Sequence, residues 1–591
     1  MSYLDLPRFH LFGTFCATPS TINNVIQNYN PDTPFIDSMG PEPGARGWNP
    51  SGRALFKVDV TVQTVTGADG KPVASGDALI GATLVSIPNP NHAKIVDLDP
   101  HQQNVSQVFG LTVQLIAADG TALFTGSVAP CALAELWTRT AGQRPSITTA
   151  AAMYQTIIQV TRWGAIKGSK VLRALQKQAG NTLSIRWNLD GFNGNPQDPG
   201  FGLGRMTATV GPAYAGEPLH FLAARRLATP PGAPPPTRHL WFAPFRVDSG
   251  RSTLVLDLGN SVATTTPGGP FTLRTLPVSV NVYGDAAEVG RVEYTLESYQ
   301  VSAGVFELPI PNSQLHAVET QPLGITVDAG DLTTYPLLEA QDGTLIGADL
   351  SFLRLNPGER ATVTFYATRF GRRYARCPVD LSLCPQGGNL GNDPPGGLSW
   401  TPATPKTGRD GTVTVTFKGG STAPKAAWRA QNDIDGQVYF VSGSWFPTIL
   451  SNDGVVPVSA LVFDKYKPRS NPPTWWGDIQ PIMYQYARLY PGMRQILDIA
   501  DYGTLQQVIH DGKTGAQLVL EAMQLPIEHP HHMPVTRDLS AAKLKAYAAW
   551  VKAGCPEGTR PLTAAGVPAE EVAVAAGPRH GPGSDSIKST L

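Results

Sequence analysis

The segment Glu528-His529-Pro530-His531-His532-Met533 gathers the side chains with the widest chemical reach in this chain. Imidazole is a ligand for haem iron, zinc or copper. A thioether sulfur is a soft donor that suits haem iron, where a His/Met pair raises the reduction potential. Met533 is therefore the leading candidate ligand, with His529, His531 or His532 as its partner and Met533 with His532 as the metal pair. Tyr490 could bind ferric haem as a phenolate. Arg537 offers a planar fork for a carboxylate, whether a haem propionate or a substrate. A plainer reading stands beside each. Three histidines on a proline-broken loop match no common metal spacing and suit a solvated loop, while Met533 and Tyr490 suit a core.

Other candidates are weaker. His10, between Phe9 and Leu11, fits a proton-transfer group near a pocket or a satisfied residue of an alternating strand. Asp433-Ile434-Asp435-Gly436 begins like a calcium loop but lacks the third ligand and closing glutamate, so it reads as a turn. Trp475-Trp476, after Pro472-Pro473, reads as an inter-domain seal. Gly200-Phe201-Gly202-Leu203-Gly204 leads into a strand over 206–210, which leaves no helix N-terminus to hold phosphate. Gly-x-Ser-x-Gly, Walker, His-Glu-x-x-His and Cys-x-x-Cys motifs are absent, which lowers the standing of hydrolases, nucleotide enzymes and zincins.

These residues sit in a chain of 591 residues, enough for about three or four domains at one per ~150. Gly (60) and Pro (53) favour a turn-rich β architecture. Lys+Arg and Asp+Glu are both 46, so no bulk field attracts nucleic acid or acidic lipid, and neither is an expected partner. No apolar run reaches the ~20 residues of a membrane span, and the first residues do not read as a secretory signal. With five cysteines and only Cys377 and Cys384 close together, a cytoplasmic protein with free thiols is expected.

Short alternating runs such as Leu55-Phe56-Lys57-Val58-Asp59-Val60 are separated by Asp-Gly turns, predicting an N-terminal β-rich domain over 1–228. Ser169 predicts an N-cap for one short helix over 170–179, closed by Gly180. The proline-rich stretch 228–237 reads as a linker. A second β domain is expected over 239–375, and a small sandwich-like β unit over 398–466. Residues 474–557 read as helical, with Ser540 capping a final helix whose face is Leu544, Tyr547, Ala548 and Val551. The tail 563–591 is Ala/Gly/Pro/Ser-rich and reads as flexible. The fold class is thus mainly β and multi-domain, with sandwich or barrel-like units and an all-α C-terminal domain.

That last domain resembles a small cytochrome c. Ile479-Gln480-Pro481-Ile482 opens it, Met533-Pro534 stands where the axial methionine would precede the last helix, and Gly554-Cys555-Pro556 closes it. The attachment window reads Ala487-Arg488-Leu489-Tyr490-Pro491, with no thiol for a thioether and no histidine for iron. The resemblance thus implies non-covalent haem, or no cofactor. Longer stretches resemble the family of imine dimer synthases of the violacein pathway and chromopyrrolate synthases. They are the opening Met1-Ser2-Tyr3-Leu4-Asp5-Leu6-Pro7-Arg8-Phe9-His10-Leu11, the region 204–227, and Met533-Pro534-Val535-Thr536-Arg537-Asp538-Leu539-Ser540. Those enzymes carry a second half like a ferritin-type bundle, and this sequence has no pair of Glu-x-x-His motifs to build one. The resemblance implies an oxidoreductase component of aromatic amino-acid-derived specialised metabolism, acting on a small aromatic substrate with an iron-bearing ferritin-like partner. The alternative is a non-catalytic β-rich binding or scaffold protein with a cofactor-free helical module.

Overall fold

The computed structural model describes residues 2–18, 54–73, 76–98, 106–143, 148–195, 198–219, 225–228, 240–272, 277–283, 288–327, 337–384, 396–421, 435–443, 458–489, 493–494 and 496–560. The first sheet contains β1 (Arg8–Thr18), β2 (Leu55–Thr66), β3 (Thr83–Ile87), β4 (Ala93–Val96), β5 (Gln107–Phe109) and β6 (Thr112–Ile116). It continues with β7 (Ala122–Val128), β8 (Cys131–Ala132), β9 (Ala134–Thr138), β10 (Ala150–Trp163), β11 (Thr182–Asp190) and β12 (Leu203–Pro212). The path β1-β12-β11-β10-β7-β6-β3-β2 closes because β1 also pairs with β2. Every pairing around this ring is antiparallel, which an even strand number permits, and closure removes the exposed edges. Period-two alternation sends Phe9, Leu11 and Phe15 from β1, Ile185 and Trp187 from β11, and Met206 and Ala208 from β12 into one apolar core.

Helix α1 (Lys170–Ala179) packs Val171, Leu172 and Leu175 on that core. It forms as its sequence predicts: Ser169 Oγ accepts the Leu172 amide at 3.0 Å, and Gly180 ends it at φ 62°. Strands β4, β5 and β8 extend the sheet from β2 beyond the barrel.

The second sheet has β13 (Arg225–Ala228), β14 (Ala243–Asp248), β15 (Thr253–Asp257), β16 (Pro277–Val282), β17 (Glu288–Glu293), β18 (Val305–Pro309), β19 (Leu323–Val327) and β20 (Leu337–Glu339). Its order is β17-β16-β19-β20-β13-β14-β15-β18. The edge strands approach each other, since a Cβ built on Gly290 of β17 would lie 3.4 Å from Leu308 of β18. The sheet is therefore barrel-like. Helices α2 (Leu296–Ser302) and α3 (Leu315–Thr320) pack on its core through Tyr299 and Val318.

Beyond it, Thr344–Ala348, Arg360–Arg369, Thr412–Gly419 and Leu398–Thr401 form one sheet. Phe352–Leu355, Val458–Val462, Gln437–Ser442 and Ser382–Cys384 form another. Both contribute to a single core around Phe365, Phe417, Tyr439 and Ala460, so this unit is a sandwich.

The expected domain limits shift accordingly. β13 lies within 1–228 yet pairs with β14 and β20, placing it in the second sheet. The strands at 344–369 pair with Thr412–Gly419, so the sandwich takes in the end of the 239–375 segment. Hydrophobic alternation identified the strands but carries no record of which sheet each one joins. The linker residues 229–237, the first two residues of the Asp433–Gly436 turn and the tail 563–591 lie outside the described residues.

From Trp475 the chain turns helical: a π-turn (Trp475–Ile479), α4 (Gln480–Leu489), α5 (Tyr502–Gln506), α6 (Gly515–Gln524) and α7 (Ala541–Lys552). A two-stranded hairpin, Val508–His510 with Lys513–Thr514, interrupts them, so the module is not purely α. Ser540 caps α7 by accepting the Lys543 amide. The most buried residues of α7 are Ala546, Tyr547 and Trp550, with Leu544 and Val551 only partly covered. Trp550 brings the larger apolar area to the core and sets the face that the helix buries.

Candidate functional site

The loop before α7 is built around Arg537, which is 2% exposed and has a left-handed backbone at φ 56°. Its Nε donates to the Ile527 carbonyl at 3.1 Å and Nη2 to the His529 carbonyl at 3.0 Å, while Nη1 donates to the Val535 carbonyl. Its guanidinium also stacks on Phe109 of β5, 4.8 Å from the ring centroid. The fork expected to meet a carboxylate therefore faces backbone carbonyls. It fastens the histidine loop and docks it on the barrel's extension.

The histidines do not converge. His529 Nδ1 accepts the His531 amide at 3.1 Å, and the two rings meet edge to face at 5.5 Å. His531 is exposed; burial, then His529 and Lys94, pushes its pKa down. His532 Nδ1 lies 2.8 Å from the Leu525 carbonyl, so that nitrogen carries the proton and Nε2 is the basic one. Burial lowers its pKa. Met533 is half-buried and packs on the module's core. Among the described residues no group of three His, Cys, Asp or Glu side chains is placed to hold a metal ion. Tyr490 lies outside the described residues.

Rings fill the space between the helices. Trp475 and Trp550 are 0% exposed with centroids 5.6 Å apart, and Tyr547 lies 5.4 Å from Trp550. The Trp550 indole donates to the Pro556 carbonyl at 3.0 Å and the Tyr547 hydroxyl to the Ala516 carbonyl at 3.3 Å. A porphyrin between these helices would have to displace that packing, so the residues present do not fit one there. Trp475, expected to seal a domain boundary together with Trp476, lies in a core cluster that joins this module's helices to Ala54, Val96 and Phe109 on the first barrel's side, with Trp476 and Phe352 packed against it.

The loop also joins three units. Arg354 of the sandwich donates from Nη2 to the Thr536 carbonyl at 3.0 Å and from Nη1 to Gln107 of β5 at 2.7 Å. Lys543 of α7 pairs with Asp435 at 2.7 Å. Gly110 is required where the loop crosses: its φ is 66°, and a Cβ there would lie 3.0 Å from Pro530.

A second cluster escaped the sequence reading: a buried charge lattice between the two barrels. Asp190 of β11 receives Arg205 through two bonds, Nε to Oδ1 at 2.8 Å and Nη2 to Oδ2 at 2.5 Å, and Arg139 Nη1 lies 3.2 Å from Oδ2. Those arginines then reach the second barrel. Arg205 donates to the Gly268 and Gly269 carbonyls, and Arg139 to those of Val262 and Gly259. Both guanidiniums stack on Phe271 and Tyr299 at 5.2–5.4 Å. Burial alone would raise the Asp190 pKa, but Arg139 and Arg205 overcome it and hold the carboxyl below its usual range.

Beside it, Arg186 meets Asp257 of β15 at 3.1 Å and Glu135 at 3.4 Å, and Tyr3 donates to Asp257 at 2.6 Å. Burial raises the Glu135 pKa against the opposing pull of Arg186 and Arg226. Arg8 pairs with Glu307 of β18, and Asp5 with Arg246 of β14. His10 shares this face: burial holds its pKa well down, and its Nδ1 meets Thr209 Oγ1 at 3.0 Å, which fits a satisfied strand residue. The available signal was the polar residue recurring at every second place in Arg186-Trp187-Asn188-Leu189-Asp190, where the apolar face is already spoken for.

No protein-family model matches the chain, and no curated protein matches it. Among solved structures, domains 4 and 5 of the S-layer protein SbsC align at 13% identity and TM-score 0.13, covering 37% of this chain and 90% of that one. A longer SbsC structure aligns at 11% identity and TM-score 0.14, covering 70% of this chain and 53% of that one. Trypsin-activated alpha-2-macroglobulin from Escherichia coli aligns at 10% identity and TM-score 0.12, covering 92% and 50%. At such TM-scores these likenesses establish no shared fold.

Proposed function

We propose that this chain is a non-catalytic, β-rich binding or scaffold protein whose helical module works without a cofactor. The observation that carries this reading is the commitment of Arg537: its three guanidinium nitrogens serve the carbonyls of residues 527, 529 and 535. The aromatic filling between the helices supports it. So does the lattice between the barrels, whose buried arginines and carboxylates pair with one another. A scaffold gains from such commitments, because they fix how its surfaces are presented.

One observation favours a second reading, an oxidoreductase component of the imine-dimer-synthase type. His532 presents Nε2 while Nδ1–H is held by a backbone carbonyl, the arrangement that orients metal-binding imidazoles. In that reading the iron comes with a ferritin-like partner and the substrate is an aromatic imine. Absorption spectroscopy with metal analysis on the purified full-length protein separates the two. The scaffold reading expects no Soret band and no stoichiometric iron. A Soret band that shifts in Met533→Ala would overturn it.

A further inference from the structure

The interior of the closed barrel holds two polar atoms that the packing leaves unanswered. Tyr154 of β10 and Trp187 of β11 are direct cross-strand partners, 0% and 1% exposed, with ring centroids 5.9 Å apart. Among the described residues, neither the Tyr154 hydroxyl nor the Trp187 indole nitrogen meets a hydrogen-bond partner. Leaving one buried donor unpaired lowers a folding constant by about fivefold to a hundredfold, so native interiors rarely tolerate it and two on facing residues call for a cause.

We propose that the barrel encloses a small guest that accepts a hydrogen bond from the Trp187 indole and shares one with the Tyr154 hydroxyl. The guest must be an acceptor, because an indole N–H can only donate. Cys131 is a free thiol, fully buried in the same core, and supplies a further weak partner. The eight-stranded ring is a size that side chains fill almost completely, so the guest has few atoms. Ordered water and a small carbonyl or hydroxyl compound share this chemistry.

The test uses the full-length protein. The difference in ultraviolet resonance Raman spectra between wild type and Trp187→Phe isolates the indole N–H marker of this residue, and the proposal expects a hydrogen-bonded indole. An indole marker typical of a free N–H would overturn it. Tyr154→Phe, which removes one oxygen and adds no bulk, should lower the barrel's folding constant by about threefold to tenfold. An unchanged or raised urea midpoint would overturn the proposal independently of how Trp187→Phe folds. Native mass spectrometry then identifies the source. A mass surplus lost on denaturation means an organic guest, and its absence alongside a bonded indole means water.

Discussion

Asp190→Asn is the sharpest probe of the lattice, because one carboxylate orients two arginines that both reach across to the second barrel. Asparagine keeps the shape and one acceptor oxygen but removes the charge. Arg139 and Arg205, 1% and 8% exposed, would then sit as buried cations without their shared counter-charge. Breaking a buried pair from one side costs about 3–5 kcal/mol. For a cooperative unit of about 330 residues, an unfolding entropy of about 2.1 cal/mol/K per residue converts this into a Tm fall of about 4–7 °C. Differential scanning calorimetry of the full-length variant measures it, with limited proteolysis to report which barrel opens. Both barrels should become protease-sensitive together, since the arginines contact carbonyls at 259, 262, 268 and 269 of the second. A Tm change below about 1 °C, or exposure of the first barrel alone, would refute the claim that Asp190 couples them.

Two further outcomes follow from the same geometry. Arg537→Lys keeps the charge but loses the fork that serves three carbonyls, and should destabilise the helical module by about 2–4 kcal/mol, read as faster proteolysis within 527–533. Glu135 has a folded pKa raised by burial, so its stabilising contribution is complete below the unfolded value of about 4.3 and is lost as pH rises through the folded value. Glu135→Gln should therefore flatten the fall in Tm over that window, and an unchanged pH profile would show that Glu135 stays ionised throughout.

The strands were legible because half-buried β structure writes itself as period-two alternation, as in Leu55-Phe56-Lys57-Val58-Asp59-Val60, and α1 because Ser169 and Gly180 mark its ends. Sheet membership was not legible. β13 and β20 are joined by long-range pairing between residues such as Leu227 and Glu339, and local patterning holds no information on that choice. The site suffered the opposite fault. Residue type made Arg537 look available to a ligand, whereas its left-handed backbone and buried position turn the fork inward onto its own loop. The lattice was hidden for a related reason: Arg186 of β11, Arg205 of β12 and Arg139, just after β9, find their partners in the second barrel, and local patterning holds no information on that contact.

Why the two barrels should meet through charge is a question of register. Well-packed apolar residues at such a contact would often be as stabilising as buried ion pairs, or more so. An apolar contact, however, tolerates sliding, because burial is non-directional and nearly indifferent to a small shift. The guanidiniums here are satisfied at one register only. Arg205 must find the carbonyls of Gly268 and Gly269 while keeping both bonds to Asp190, and Arg186 must find Asp257 while Tyr3 holds the same carboxylate. The backbones confirm how close that fit is: Gly191 of the first barrel and Gly268 of the second have φ of 64° and 63°, and a Cβ on Gly191 would lie 2.5 Å from the Gly268 Cα. A slip of a single residue would strand the buried charges of Arg186, Arg205 and Asp257 and force the glycine backbones into each other. The lattice thus trades some stability for a single relative placement of the barrels.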